Sequence, residues 1–295
     1  MSKIYLVLTA VFFSAFAINS NAQQWRPVSG SRQANISGMA LIRHEKKVTT
    51  ILVVHDNKKK EQVHATIITV AGTDTPLYTP LKWPGDNVPV DLEAVTAVPG
   101  AEGQFIALNA DGHAYHFKIN LKSNEIEVIK AFDVPMIPAE RDFEGFVLQK
   151  INNTLVAVWA ERGGGTAKPA TIFWSKFDLD GDKFTDVSWA PFRVPYPVTD
   201  VRHIADLKVD ATGAVFVVSA SDPGNDGPFS SAFYFAGVLS VAQDKIIFTK
   251  AAMPTRLFSF DYHKVEAFEF VPGADGGLAF GTDDENLGAA LLLTF

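Results

Sequence analysis

After residue 23 the chain holds almost no stretch with the 3.6-residue apolar period of an amphipathic helix. What recurs is a short run of about six apolar, β-branched or aromatic residues that stops at Gly, Asn, Asp or Pro: TTILVVHDN, GQFIALNADG, NTLVAVWAERGGG, GAVFVVSASD and GGLAFGTDD. Such runs read as strands bounded by turns, which makes the chain all-β. A shorter segment stands ahead of each run: Asn35-Ile36-Ser37-Gly38-Met39, Asp91-Leu92-Glu93-Ala94-Val95, Asp142-Phe143-Glu144-Gly145-Phe146, His203-Ile204-Ala205-Asp206-Leu207 and Lys264-Val265-Glu266-Ala267-Phe268. These segments start 51 to 61 residues apart, and two further strand-like pieces follow each pair, as in TIFWSKFDL and DKFTDVSW around Asp180-Gly181. Four strands repeated five times predict a five-bladed β-propeller of four-stranded blades. The last unit runs short at Phe295, so an N-terminal strand around Gln24 to Val28 is expected to complete it and close the ring. An outer-membrane barrel fits worse, because its strands alternate between a lipid face and a lumen face. Here ILVV, VFVV and ALLL are apolar on both faces, as in strands stacked between blades.

The first residues follow other rules. Lys3, an apolar run from Ile4 to Ala17 and the small-residue site Ser20-Asn21-Ala22 form the pattern of a secretory signal peptide. The run is short for a membrane span. Residues 1–22 are therefore expected to be cleaved, leaving residues 23–295 as a single propeller domain in the periplasm or outside the cell. The chain has no cysteine, which excludes disulfides, thiolate zinc sites, thiol catalysis and a lipid-modified cysteine. Its net charge of −7 argues against nucleic acid or an anionic membrane as partner. A small molecule or a protein ligand is the partner to expect.

In a propeller the innermost strand opens each blade and the second strand runs back antiparallel. The start of the first and the end of the second therefore share one face of the disc. One set of residues there is Asn35, Asp91, Asp142, His203 and Lys264, with Ser37, Glu93, Glu144, Ala205 and Glu266 two positions on. The other set is His55 and Asp56, Asn109 and Asp111, Glu161 and Arg162, Ser221 and Asp222, and Asp283 to Glu285. Residues two apart point the same way, so Glu93, Glu144 and Glu266 should ring the channel mouth beside Asp91 and Asp142. Crowded carboxylates are relieved by a raised pKa, by cationic neighbours or by a metal ion. Oxygen donors without cysteine favour a hard cation, Ca²⁺ above Mg²⁺. Two other readings stand beside it: the acids pair with Arg141, Arg162, Arg202 and Lys264, or they line a water-filled channel. Arg141, Arg162, Arg202, His203 and Lys264, with His263, would also receive an anionic or ester ligand. Asp178-Leu179-Asp180-Gly181-Asp182 lacks the glycine position and closing glutamate of a calcium loop and reads as a hairpin turn. No GxSxG nucleophile motif is present.

The starts Asp91-Leu92-Glu93-Ala94 and Asp142-Phe143-Glu144-Gly145, with Ile36-Ser37-Gly38-Met39, resemble those of secreted bacterial propellers of the SdiA-regulated and phytase-like esterase groups. That resemblance implies a propeller with a calcium ion at the channel mouth. The chain departs from the pattern at Ala94 and Ala267, where Gly is expected, and at His203 and Lys264, where Asp is expected. Two functions follow. One is a non-catalytic binding module whose mouth holds calcium and a ligand. The other is a metal-dependent hydrolase of phosphate or carboxylic esters.

Overall fold

The structure is a computed structural model and describes residues 23–85, 88–138 and 142–295. Residues 1–22, with the expected signal peptide, lie outside the described residues, as does Arg141. A short strand β1 (Arg26–Ser29) comes first. The first blade is β2 (Gly38–Glu45), β3 (Val48–Val54), β4 (Ala65–Ala71) and β5 (Leu77–Pro80). The second is β6 (Leu92–Ala97), β7 (Gln104–Asn109), β8 (His113–Asn120) and β9 (Glu125–Asp133). The third is β10 (Phe143–Ile151), β11 (Thr154–Glu161), β12 (Ala170–Asp178) and β13 (Lys183–Phe192). The fourth is β14 (Val201–Val209), β15 (Ala214–Ser221), β16 (Ser230–Ala242) and β17 (Lys245–Asp261). The fifth is β18 (Val265–Val271), β19 (Gly277–Thr282) and β20 (Ala289–Leu293), with β1 added outside β20. All five sheets are antiparallel and separate, so the chain is a five-bladed propeller and not one closed barrel. The Asp178–Lys183 segment is the turn between β12 and β13.

β1 closes the ring as the short final unit requires. Arg26 pairs with Leu291 and Ser29 with Ala289. The Arg26 guanidinium then donates to the Gly72 carbonyl at 2.6 Å, which ties the fifth blade to the first. Second strands are buried on both faces because they stack between blades. Ile51, Leu52, Val53 and Val54 of β3 have no exposed surface. Between the fourth and fifth blades the filling is aromatic: Phe280 lies 4.8 Å from Phe260 and 5.4 Å from Phe233, centroid to centroid. Such offset and edge contacts add to area burial.

The inner strands explain the motif that opens each unit. The β-register slips at Glu93 between Leu92 and Ala94, at Glu144 between Phe143 and Gly145, and at Glu266 between Val265 and Ala267. Each slip is a bulge that re-aims one side chain. The residue after it is small because the next inner strand packs there. A Cβ on Gly38 would lie 2.9 Å from the Ala94 Cα, and one on Gly145 would lie 2.9 Å from the Leu207 Cβ.

The fourth blade departs from the expected register. The Asp91, Asp142 and Lys264 carbonyls each accept from the residue after their partner strand, namely Ala110, Arg162 and Asp283. In the fourth blade the equivalent bond runs from Asp222 N–H to the Asp200 carbonyl, not to His203. Asp200 also shares the left-handed backbone of Asp91, φ +49° against +61°. The unit thus begins Asp200-Val201-Arg202, three residues earlier than the sequence suggested. The extra residues form a wide bulge between Arg202 and Asp206. Its His203 and Ile204 N–H groups reach back to the Arg162 carbonyl of the third blade. The position expected for Ala205 is therefore held by Arg202.

Below the mouth, polar side chains stitch the inner strands together. Glu269 of β18 accepts from Leu41 N–H at 3.4 Å, Thr96 from Leu148 N–H at 3.3 Å and Asp206 from Phe268 N–H at 2.9 Å. Gln149 donates to the Val209 carbonyl at 3.0 Å. Lys208, 2% exposed, sends its ammonium from the fourth blade to the Met39 and Val95 carbonyls of the first and second, each at 2.7 Å. These carbonyls belong to the innermost strands, so Lys208 crosses the centre of the disc.

Candidate functional site at the channel mouth

The five ring positions are Ser37, Glu93, Glu144, Arg202 and Glu266. Their chemistry is uneven around the circle. On the third to fifth blades the charges are matched at contact distance. Arg162 holds Asp142 at 2.5 Å and Glu144 at 3.2 Å. Arg202 holds Glu266 at 2.9 Å, reaches Glu144 at 3.9 Å and pairs with Asp222. Lys264, 1% exposed, lies among Glu285 at 2.6 Å, Asp283 at 3.0 Å and Glu266 at 3.2 Å. Arg32 closes this group from outside with a 2.6 Å contact to Glu285.

Titration follows from that packing. Burial alone would pull Lys264 down, but Glu266 and Asp283 hold it well above an ordinary lysine. Arg202 is likewise raised, Glu266 and Glu144 outweighing burial. Burial pushes the Glu144 carboxyl up to about 7 against the pull of Arg202 and Arg162, and burial, then Glu266, raises Asp283 to about 7.

The first and second blades present the opposite picture. Among the described residues no hydrogen bond or contact ion pair reaches the carboxylates of Glu93 or Asp56. Burial, then Glu144, Asp56 and Glu266, hold Glu93 well above the ordinary carboxylate range. Burial, then Asp283 and Asp91, raise Asp56 to about 6. Asp91 has a partner in Lys58 at 3.2 Å, from the KKKEQ turn. Two neutral groups complete this side. The Ser37 Oγ and the Asn35 Oδ1 are buried and receive no hydrogen bond, although the Asn35 amide nitrogen donates to Asp283 and, at 3.3 Å, to the Glu285 carbonyl.

The structure thus brings together Glu93, Glu144, Glu266, Asp91, Asp142, Arg162, Arg202 and Lys264. It does not bring His203 to them. That imidazole is buried, with Nε2 at 2.9 Å from the Gly165 carbonyl and Nδ1 accepting from Val194 N–H at 3.4 Å. Burial lowers its pKa, so it is a neutral bridge between blade and linker. His263 is oriented by Asp284 through Nδ1 at 2.7 Å and lies 4.3 Å from the Trp25 ring at a tilt of 34°. Sequence reading passed over Lys58, which lies in a turn, and Asp200, hidden by the three-residue bulge. It also passed over Lys208 and Glu269, although a charged residue inside a strand apolar on both faces was a signal for them.

The calcium ion expected here would need six to eight oxygens. The donors are right in kind and too few in number: Glu144 and Glu266 are engaged by protein cations. Among the described residues no group of three or more acidic or histidine side chains is disposed to hold a metal ion.

No protein-family model matches the chain, so the resemblance to the SdiA-regulated and phytase-like esterase groups has no support beyond the shared propeller. No curated protein matches it either. Among solved structures it is similar to a GH43 endo-arabinanase from Bacillus licheniformis, at 10% identity and TM-score 0.49, over 91% of this chain and 96% of that one. It is similar to the Carbohydrate-Active Enzymes Family AA12 protein of Trichoderma reesei, at 10% identity and TM-score 0.47, over 93% and 96%. An α-L-arabinofuranosidase from Lactobacillus brevis gives 10% identity and TM-score 0.47, over 86% and 89%. At these values the likeness carries no argument about activity, and the functional reading rests on the mouth itself.

Proposed function

We propose that this chain is an exported binding module whose channel mouth takes a positively charged ligand against Glu93 and Asp56. One observation carries the reading: carboxylates of the third to fifth blades are matched by Arg162, Arg202 and Lys264, while Glu93 and Asp56 have no counter-charge in contact. Crowded, half-buried carboxylates such as Glu93 and Asp56 gain from a cation, because the alternative is to bind protons. An inorganic cation such as calcium would find too few protein oxygens among the described residues here, which favours an organic cation. Arg162 and Arg202 fix the far wall, so a ligand meets a rigid, charge-patterned surface. A thermal melt with calcium chloride or with chelator tests the reading. A ligand at a hundredfold its Kd stabilises by about 2.7 kcal/mol, and Glu93→Gln should abolish the gain. If neither calcium nor any organic cation moves the melting temperature, the reading fails.

A hydrolytic reading has one observation in its favour. Burial keeps the Glu144 carboxyl near 7, the range suited to a general acid at neutral pH. Glu93 lies close enough to be raised by the Glu144 charge, so two carboxyls of the mouth could divide acid and base roles. This reading expects turnover of phosphate or carboxylic esters that Glu144→Gln abolishes with the fold intact. No turnover across such a panel removes it.

A further inference from the structure

The uneven ring suggests what kind of cation the mouth takes. Lys264 shows how this fold binds an ammonium: three carboxylate oxygens at 2.6 to 3.2 Å, supplied by the ring glutamate and by the loop after the second strand. The first and second blades repeat elements of that cage without a buried lysine: Lys58 is exposed, contacts Asp91 at 3.2 Å and acts on Glu93 and Asp56 only from beyond contact distance. Glu93 is the ring glutamate. Asp56 follows the second strand of the first blade, as Asp283 follows that of the fifth. Ser37 holds the ring position next to Glu93, on inner strands that touch one residue further on at Gly38 and Ala94. Ser37 and Asn35 are each 1% exposed, and their oxygens Oγ and Oδ1 lack a donor. Unpartnered buried acceptors are costly; the Ser37 Oγ holds the ring position beside Glu93, whereas the Asn35 amide is turned toward Asp283 and the Glu285 carbonyl of the fifth blade.

We propose that the mouth binds a primary ammonium group between the first and second blades, with Glu93 and Asp56 as counter-charges and the Ser37 Oγ as a neutral acceptor. This rests on the reading of the mouth as a cation receptor. An ammonium brings three N–H donors, which answers both the charge and the unpaired Ser37 acceptor. A quaternary ammonium answers the charge alone. The ligand class is therefore an amine with a free –NH₃⁺ end.

The test is an amide chemical-shift titration of the full mature chain with ethylammonium, tetramethylammonium and calcium chloride in turn, at constant ionic strength. Saturable ethylammonium shifts at Ser37 and Glu93, absent with tetramethylammonium, are the expected result. Glu93→Gln should weaken binding about tenfold or more, the equivalent of one charge-assisted contact, and Ser37→Ala should weaken it less. Should Glu93→Gln fail to fold, Ser37→Ala still decides, since it removes only a hydroxyl. Ethylammonium without saturable shifts, equal binding of tetramethylammonium, or indifference to Ser37→Ala each overturns the proposal. If calcium binds in a Glu93-dependent way while ethylammonium does not, the ammonium assignment falls and the cation receptor stands. If none of the three binds, both fall.

Discussion

Replacing Lys208 by methionine tests whether the centre of the disc is held by one buried ammonium. Methionine has similar length and fills much of the same space, so the cavity term is small. What disappears is electrostatic. The Met39 and Val95 carbonyls each lose a 2.7 Å donor, at about 1–3 kcal/mol for each buried acceptor left unmade. Glu269, 4.0 Å away, and Asp206 lose the cation that lowers their pKa. Breaking a buried pair by removing one partner costs about 3–5 kcal/mol, and we expect a loss in that range. For a chain of this size each kcal/mol moves the melting temperature by about 2–4 °C, so the drop should be roughly 10 °C by calorimetry. The loss should also shrink in acid. Once Lys208 is gone, Asp206 and Glu269 bind protons more readily, and protonation removes the uncompensated charge. Melts of both proteins at pH 5 and pH 8 measure this directly. A loss below about 1 kcal/mol at both pH values would refute the argument, because it would mean that the two carbonyls are satisfied without Lys208.

Four further outcomes follow from the same geometry. Asp206 and Glu144 have pKa values raised to about 7 and Asp56 to about 6; their protonated forms favour the folded state below the unfolded carboxylate range, and that stability is lost as pH rises through 6 to 7. His55, lowered to about 4 by burial, works the other way, its contribution lost as pH falls from 6.5 to 4; the carboxylates outnumber it, so melting temperature should fall from pH 5.5 to pH 8, and a rise would contradict the assignment. Arg202→Met should cost about 3–5 kcal/mol in chemical denaturation, with Arg202→Lys recovering part of it, since a lysine cannot span Glu266, Glu144 and Asp222 as the fork does. Gly38→Ala forces a Cβ to within 2.9 Å of the second blade's backbone and should destabilise by about 1–3 kcal/mol in the same assay. Removing residues 23–29 strips β1 from β20, and protection of the Ala289 to Leu293 amides from hydrogen exchange should collapse before that of the other blades.

The blade count and the closing strand were legible because both depend on strand length and turn residues, which are local. Four strands per unit, the short final unit and an apolar second strand are enough to require a ring closed from the N-terminus. The glutamate positions were legible for the same reason, since the residue two after each start lies at a bulge in the second, third and fifth blades. The fourth blade was not legible. Its start is displaced by a three-residue bulge that makes sense only through His203 and Ile204 bonding to Arg162 of another blade, and a local pattern cannot register a partner about forty positions away. Reading the unit from His203 gave the ring an alanine where it has a guanidinium. Of the readings set side by side, acids paired with Arg162, Arg202 and Lys264 describe the third to fifth blades; what the local pattern missed is that Arg202 stands in the ring itself.

That correction changes where a ligand should be sought. A five-fold repeat with an acid at every ring position would be symmetric, and a cation on its axis would be its natural complement. Here one position is Arg202 and one is Ser37, and they separate the ring into a neutralised side and an electronegative side. Arg202 contacts Glu266 and Glu144 on both neighbouring blades, so its contacts span three of the five blades and it acts on Glu93 only from a distance. Ser37 cannot supply charge at all. The unmatched carboxylates therefore lie off-axis, between the first and second blades, and beneath them the channel is crossed by Lys208 on its way to carbonyls of those same two blades. A ligand that answers Glu93 and Asp56 must then enter from the mouth, and its positive end must bind beside the axis.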